Sequence, residues 1–534
     1  VPPLRFQPPD QLPEATAFGR DRSIRGSENV VALLKTQRWV WDPLREACEL
    51  SANWGRRREP GHWELAAVAF VVSGHVDIQP WHDNTTDDLW RLCGFEQKPT
   101  YMRAWRRLRE LERCQEAIID AIAALVQRAR RHDPRVGAHV HIDGTEDETH
   151  AALVHDCRRD EACPYRARRD ATRRRRAGLA ERPARVNSSI ARADRQHENE
   201  GTDAEGEVAV SEIVERGGRL IKRIRQNGCW YRTLDTEAGI RAYTGQRGAR
   251  RFWHGYHNQK AIDHYTGGVL FPGVYNASVM EYHQFPDIYE KVTRIIGAPP
   301  QTVIADKGQS MPSVFELCTR NGTAAVMPWR PHGNTRQRQD LETHDRHGVP
   351  RCRHCGGPTT FTRFAPGASP RIWFDCLLKA TPECERTQSI TCATDWRLLI
   401  PLWRTDPLYQ ELRHSLGSYE AQHDYWRDRY KVGADSLGNR PKAIGIGWHQ
   451  LRALVACLVE WVRICDRQGW LGSARRNHRT PNRRTLLIGV HNAREFRRSR
   501  IRNGITLPYG PRAAALGLGD AIPPSRRPPP PDST

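Results

Sequence analysis

Apolar positions recur with a helical period from residue 63 onward. The runs 63–72 and 85–93 are followed by a longer stretch, 99–131, in which Leu108, Leu111, Ile118, Ile122 and Leu125 share a face. These runs predict a small α-helical domain over 61–135. Ahead of it, residues 1–60 mix Pro, Arg and Trp without sustained periodicity, so an irregular segment is expected, with room for one short helix within 30–50.

At residue 137 the period changes. Alternating Ala, Val and Ile over 137–143 predict a strand that ends on Asp143. Further strands are expected at 229–234, 256–263 and 268–275, the last two joined by a tight turn at Tyr265-Thr266-Gly267; together they suggest an antiparallel meander. A helix over 280–296, a strand over 302–306 that ends on Asp306, a helix over 313–321 and a strand over 323–327 complete the series. Two polar stretches interrupt it. One, 156–206, is Arg-rich with an acidic end and reads as a surface loop. The other, 331–392, carries clustered cysteines. Apolar helical character returns over 393–472, where Leu451, Leu454, Val455, Leu458 and Val462 mark a core helix. The tail 473–534 is basic and Pro-rich, with the composition of a disordered segment.

The chain has 534 residues, more than one hydrophobic core usually organises, so two to four domains are expected. Its 83 Lys+Arg against 62 Asp+Glu leave a formal charge of +21, which selects a polyanionic partner. The most apolar stretches, 63–72 and 451–465, are too short to span a bilayer, and the second carries Arg452 and Glu460. Among polyanions this leaves nucleic acid ahead of a membrane. No basic, apolar leader opens the sequence, so a cytoplasmic, nucleoid-associated location with reduced thiols is expected.

Two carboxylates stand at predicted strand ends, Asp143 after Val140-His-Ile and Asp306 after Val303-Ile-Ala. In-line attack on a phosphodiester by water or a 3′-hydroxyl uses two divalent ions about 3.5–4 Å apart, held by carboxylates converging from different elements. Mg²⁺ keeps several waters, so a few carboxylates suffice. The element order is a strand ending in Asp143, two meander strands, a helix, the Asp306 strand, a helix, a strand, an insertion and a final helical region. That is the order of an RNase H-like α/β fold, a mixed five-stranded sheet flanked by helices whose first and fourth strands are neighbours. Asp143 and Asp306 are therefore expected to meet.

The chain resembles the DDE-type transposases of bacterial insertion sequences whose catalytic domain is interrupted between the second Asp and the Glu. The resemblance spans roughly 138–472 and rests on 141–145 (His-Ile-Asp-Gly-Thr), 255–263 (Gly-Tyr-His-Asn-Gln-Lys-Ala-Ile-Asp), 304–308 (Ile-Ala-Asp-Lys-Gly), Tyr419-Glu420 and 440–442 (Arg-Pro-Lys). It implies catalytic ligands at Asp143, Asp306 and Glu420 for two Mg²⁺ or Mn²⁺ ions. Where the family places Tyr and Arg before the Glu and Lys after it, this chain has Arg413, Leu416 and Arg427, so only the cation after Glu420 is kept in type. Asp424 and Glu411 are rival carboxylates. Double-stranded DNA, both element ends with terminal repeats and target, is the implied partner, bound by a homodimer or higher oligomer. An RNase H-like nuclease or resolvase without joining activity, and a non-catalytic DNA-binding derivative, are the alternatives.

Of the 14 cysteines, Cys352, Cys355, Cys376, Cys384 and Cys392 fall within 41 positions of one another, a density that suits a tetrahedral structural Zn²⁺ in a zinc-ribbon-like insertion over 331–392. Cys352, Cys355, Cys376 and Cys384 are the expected ligands, with Cys392 able to replace either of the last two. Cys157 and Cys163 are expected to form no site. A helix-turn-helix is expected over 85–112, opened by a capping box at Thr85 and Asp88 and presenting Arg103, Arg106 and Arg107 to DNA; a plain helical hairpin is the competing reading. Lys307, Arg413 and Arg427 are the expected DNA contacts beside the carboxylates.

Overall fold

The computed structural model describes most of residues 22–471; residues 1–21, 52–60, 164–210, 330–342, 433–444 and 472–534, with some shorter stretches, lie outside the described set. The chain is mixed α/β. Its described part begins with two helices, α1 (Arg22–Thr36) and α2 (Arg38–Ser51), where an irregular segment with room for one short helix was expected. Their arginines break up the apolar runs in sequence, yet Val31, Leu34, Val40, Leu44 and Cys48 are buried on their inner faces. Four helices follow, α3 (Trp63–Ser73), α4 (Ile78–Asn84), α5 (Asp87–Leu92) and α6 (Tyr101–Glu110), then a 3₁₀ turn over Leu111–Cys114 and α7 (Gln115–His132). Helix α3 is buried on all sides, with α1 against it and the last of the described helices, Ile446–Arg467, beside it. The expected capping box at Thr85 is shifted by one: Thr86 caps α5 by accepting from the Leu89 N–H, while the Thr85 hydroxyl donates to the Trp81 carbonyl.

Strand β1 (His139–Glu148) runs five residues past Asp143 because an antiparallel neighbour, Arg250–Asp263, continues to pair with it. An inserted sheet follows: β2 (Val154–His155), β3 (Ser211–Arg216), β4 (Arg219–Gln226) and β5 (Cys229–Thr233), in the order β2-β5-β4-β3. Residues 229–233 of the strand expected over 229–234 therefore belong to this separate sheet and not to the expected meander, since β5 takes β2 and β4 as its neighbours. The main sheet resumes with β6 (Gly239–Thr244), β7 (Arg250–Asp263) and β8 (Val269–Asn276), then α8 (Glu281–Ile296), β9 (Thr302–Ala305), α9 (Pro312–Arg320) and β10 (Ala324–Val326). The order is β10-β9-β1-β7, with β6 and β8 both on β7. Strands β10, β9 and β1 are mutually parallel; β7 and β8 are antiparallel to their neighbours.

A second insertion carries β11 (Thr359–Ala365), β12 (Arg371–Cys376) and β13 (Gln388–Thr391) as a three-stranded antiparallel sheet. The chain then returns through α10 (Pro407–His414), α11 (Gly417–Tyr430) and α12 (Ile446–Arg467). Helix α12 seals the free edge of β8. Glu460 accepts the Val269 N–H, Cys457 and Trp461 donate to the Val269 carbonyl, and Gln450 bonds both Pro272 O and Val274 N. An edge that would otherwise expose unpaired backbone groups is closed by side chains.

One hydrophobic cluster extends from Val30 to Leu471 and takes in α7, which packs on α12, α8 and α2. This cluster runs across residue 135, where the helical segment was expected to give way to the catalytic one. Among the described residues no helix is long and apolar enough to cross a membrane.

Candidate active site and cysteine clusters

Ile142 pairs with Ala305 across β1 and β9, so Asp143 and Asp306 are the next residues on two parallel strands whose backbones lie about 4.8 Å apart. Strand β9 ends there. Asp306 turns into a 3₁₀ segment and caps it, accepting the N–H groups of Gly308 at 2.7 Å and Gln309 at 3.3 Å. Both aspartates thus sit where the parallel ladder opens.

The environments of the two differ. His423 on α11 stands with Nε2 3.2 Å from Asp143 Oδ2, and its Nδ1 lies 2.9 Å from Lys260 Nζ. The ionised Asp143 can only accept, which puts the imidazole proton on Nε2 and leaves Nδ1 to accept from the Lys260 amino group. Burial works to raise the Asp143 pKa, but the His423 bond, the Gly144 N–H and the charge of Lys260 outweigh it and hold the carboxylate below its ordinary value. His423 stays neutral, lowered to about 4 by burial and by Lys260. Lys260 is itself lowered to about 7 by burial and the nearby Arg427. Asp306 shifts upward, through desolvation and then through the charges of Glu281 and Asp143. The two neighbouring carboxylates are thus shifted in opposite directions, Asp143 downward and Asp306 upward.

Two glycines let the site close. A Cβ on Gly144 would lie 2.3 Å from His257 Nε2, and one on Gly308 would lie 2.7 Å from Glu281 Oε2 and 3.0 Å from Asp306 Oδ1. Behind them, Gln259 bonds Gln284 at 2.7 Å and Gln309 at 3.1 Å, while Glu281 pairs with Arg241 at 2.5 Å. This network braces the 3₁₀ segment after Asp306 against β7 and α8.

Glu420 is in α11, three residues before His423, and so at a position on the same helix face; its side chain lies outside the described residues. The helix itself is anchored firmly: Gln422 donates to Glu460 Oε1 at 2.6 Å and Trp426 to Glu460 Oε2 at 3.1 Å. Among the rival carboxylates, Asp424 is exposed and paired with Arg427, and Glu411 is partly buried on α10. Lys307 is exposed beside Asp306, and Arg413 is exposed on α10. His141 is bonded to His264 at 2.8 Å, Asp263 caps the turn after β7 through Gly137 and Thr266, and Asp147 is buried against His449.

His423, Lys260 and Glu281 were missed in sequence. Glu420-x-x-His423 offered a signal, since residues three apart on a helix converge, and Lys260 stood inside the motif of 255–263. Glu281 opens a helix directly after a strand, a position shared by many carboxylates that merely favour the helix N-terminus.

In the second insertion the sulfurs of Cys352, Cys355, Cys376 and Cys384 all lie within 4.8 Å of one another, and they could hold a metal ion such as zinc. Cys384 completes the set, whereas Cys392 lies outside the described residues. Cys352 and Cys355 occupy a tight turn in which Gly356 has φ +66° and the Gly357 N–H points at the Cys355 sulfur at 3.4 Å. Gln388 donates to the Cys352 sulfur at 3.0 Å. Burial disfavours the Cys352 thiolate, but this bond and the N–H groups of Cys355 and His354 reverse the effect and lower its pKa.

In the N-terminal helices, Arg103 and Arg106 are exposed on α6, and Arg107 pairs with Glu110 at 2.5 Å. Ala104 and Leu108 pin the opposite side of α6 to the core. The arginines of 164–206 and the 440–442 motif lie outside the described residues.

No family model matches the chain, and no curated protein matches it.

Proposed function

We propose that this chain is a DDE-type DNA transposase with an RNase H-like catalytic domain, cutting phosphodiesters at element ends and joining the freed 3′-hydroxyl to target DNA. The observation that carries the reading is the adjacency of Asp143 and Asp306 on neighbouring parallel strands, under a helix that bears Glu420 and His423. The placement of β1 between β7 and β9 supports it, because such a sheet sets these strands side by side, although the sheet has six strands where five were expected, β6 being the additional one on β7.

Asp143, Asp306 and Glu420 would hold Mg²⁺ or Mn²⁺, which supply Lewis-acid activation of the attacking oxygen and stabilisation of the leaving one. The chain's own residues do the rest. Lys260 donates to His423, and His423 in turn keeps Asp143 ionised and oriented. Lys307 and Arg427 would place positive charge near the carboxylates, where the DNA backbone would pass, and the exposed Arg413 of α10 would be a further DNA contact. Water attacks phosphorus, the P–O bond to the 3′-oxygen breaks, and that oxygen leaves as the hydroxyl. In the second step the same 3′-hydroxyl attacks a target phosphodiester, the target's P–O bond to its own 3′-oxygen breaks, and the proton lost by the attacking hydroxyl is balanced by the one the leaving 3′-oxygen takes up, with no covalent protein intermediate. The exposed Arg103 and Arg106 of α6 would serve as a DNA-binding face, and Cys352, Cys355, Cys376 and Cys384 would hold a structural zinc.

Full-length protein incubated with duplexes taken from the DNA flanking its coding region, in Mg²⁺ or Mn²⁺, tests the reading. Joined products that disappear in Asp143→Asn and Asp306→Asn are expected. Nicking without joining would replace the proposal by a nuclease or resolvase, and binding without cleavage in either metal by a non-catalytic derivative.

A further inference from the structure

We infer that the chain carries a second structural zinc site, formed by His155, Cys157, Cys163 and Cys229, where no site was expected from the sequence. The four ligand atoms all lie within 4.8 Å of one another. Cys163 Sγ is 3.8 Å from Cys229 Sγ and 3.1 Å from His155 Nε2. Thiolates bonded to one tetrahedral zinc at about 2.3 Å stand about 3.8 Å apart. The Cys163–Cys229 separation matches that edge, as do the 3.6 Å and 3.5 Å sulfur separations of Cys352–Cys384 and Cys355–Cys376. A disulfide would need sulfurs about 2.05 Å apart. Three thiolates with one imidazole select zinc over the hard, oxygen-seeking cations proposed for Asp143 and Asp306.

The surroundings are those of a built site. His155 is on β2 and Cys229 opens β5, and the two strands pair through His155 and Tyr231. The Trp230 N–H donates to the Cys157 sulfur at 3.1 Å, the bond that steadies a metal-bound thiolate. Asp156, between two of the ligands, is clamped by the buried Arg223: Nε reaches its carboxylate at 2.9 Å and Nη2 its carbonyl at 3.2 Å, with the guanidinium 4.6 Å from the Trp230 ring centre.

The sheet β2-β5-β4-β3 needs such a staple. Val154, Ile213 and Leu220 on its strands are exposed, and Ile221, Ile224 and Cys229 are the buried apolar residues among the described part of it. A core this small rarely supports itself, and a metal bound only by the folded state adds its binding free energy to folding. Cys163 and Cys229 are 66 positions apart in the chain, so one ion would tie the segment that follows β2 to the start of β5. Zinc binding here does not depend on what the carboxylates of the candidate active site do.

Zinc content of the purified full-length protein, measured by inductively coupled plasma mass spectrometry after exhaustive dialysis, decides the matter. Two zinc ions per chain are expected, falling to one in Cys157→Ser/Cys163→Ser and to one in Cys352→Ser/Cys355→Ser. Should the first variant not fold, the wild type and the second variant still discriminate. One ion per chain in the wild type, absent altogether from Cys352→Ser/Cys355→Ser, overturns the second site. With Co²⁺ in place of zinc, His155→Cys should retain both ions and shift the visible bands of one of them.

Discussion

Asp143 accepts a hydrogen bond at 3.2 Å from His423, a residue 280 positions later in the chain, and His423 is itself held by Lys260 at 2.9 Å. The buried Lys260 therefore acts on the carboxylate through a neutral imidazole. Asp306 instead accepts from the backbone of Gly308 and Gln309, and its charge is opposed by Glu281 and Asp143. The two aspartates are neighbours in space with opposite electrostatic footing.

From that asymmetry, Asp306→Asn should cost about a thousandfold in strand transfer while leaving the melting temperature equal to or above that of the wild type. Asparagine keeps the acceptor for Gly308 and removes a charge the fold disfavours. Paired activity and thermal-melt measurements check this, and a clear fall in melting temperature would count against the placement of Asp306 in a crowded acid cluster.

Glu460 predicts a pH effect on stability. Burial raises its pKa to about 7, although Val269, Gln422 and Trp426 all donate to it. With a folded pKa above its ordinary value of 4.5, the native state holds the extra proton between these limits, so stability falls as pH rises from about 4.5 to about 7. The full decrease is on the order of 3 kcal/mol. Glu460→Gln should match the wild type near pH 4.5 and exceed it above pH 7 in urea unfolding. Equal stabilities across that range would refute the assignment.

Gly144→Ala places a methyl group into His257 Nε2, and His257 is braced by Gln284. Overpacking of this kind costs about 1–3 kcal/mol, and the shift of β1 against β7 should also lower activity. Gly267→Ala, at a turn with φ +72° and open space around the added Cβ, should lower stability without touching activity. Chemical denaturation of both, beside the joining assay, separates close approach from backbone conformation.

If α6 faces DNA, Arg103→Ala/Arg106→Ala should weaken binding of any duplex and lower the slope of log K against log salt by roughly 2, one unit for each phosphate no longer neutralised. Fluorescence anisotropy over a salt series measures that slope. An unchanged slope would leave α6 as an ordinary helix with a solvated basic face.

The positions of β1, β7, β8, β9, β10 and α12 were legible in the amino-acid sequence, because alternation and helical spacing record which side of each element is buried. Asp143 and Asp306 could be set beside buried strand residues for the same reason, and Cys352, Cys355, Cys376 and Cys384 stood out as a group because those thiols are dense within one short segment. What meets across long separations emerged only when the chain was packed. Packing took 229–233 out of the meander and into an inserted sheet, set α1 and α2 on the main core, and joined Cys229 to a histidine and two cysteines over 60 positions earlier. It also brought His423 and Lys260 to Asp143. Periodicity reports the burial of a residue against an unnamed neighbour. Which neighbour arrives is set by strand order and by the insertions between strands, and neither leaves a periodic trace in the chain.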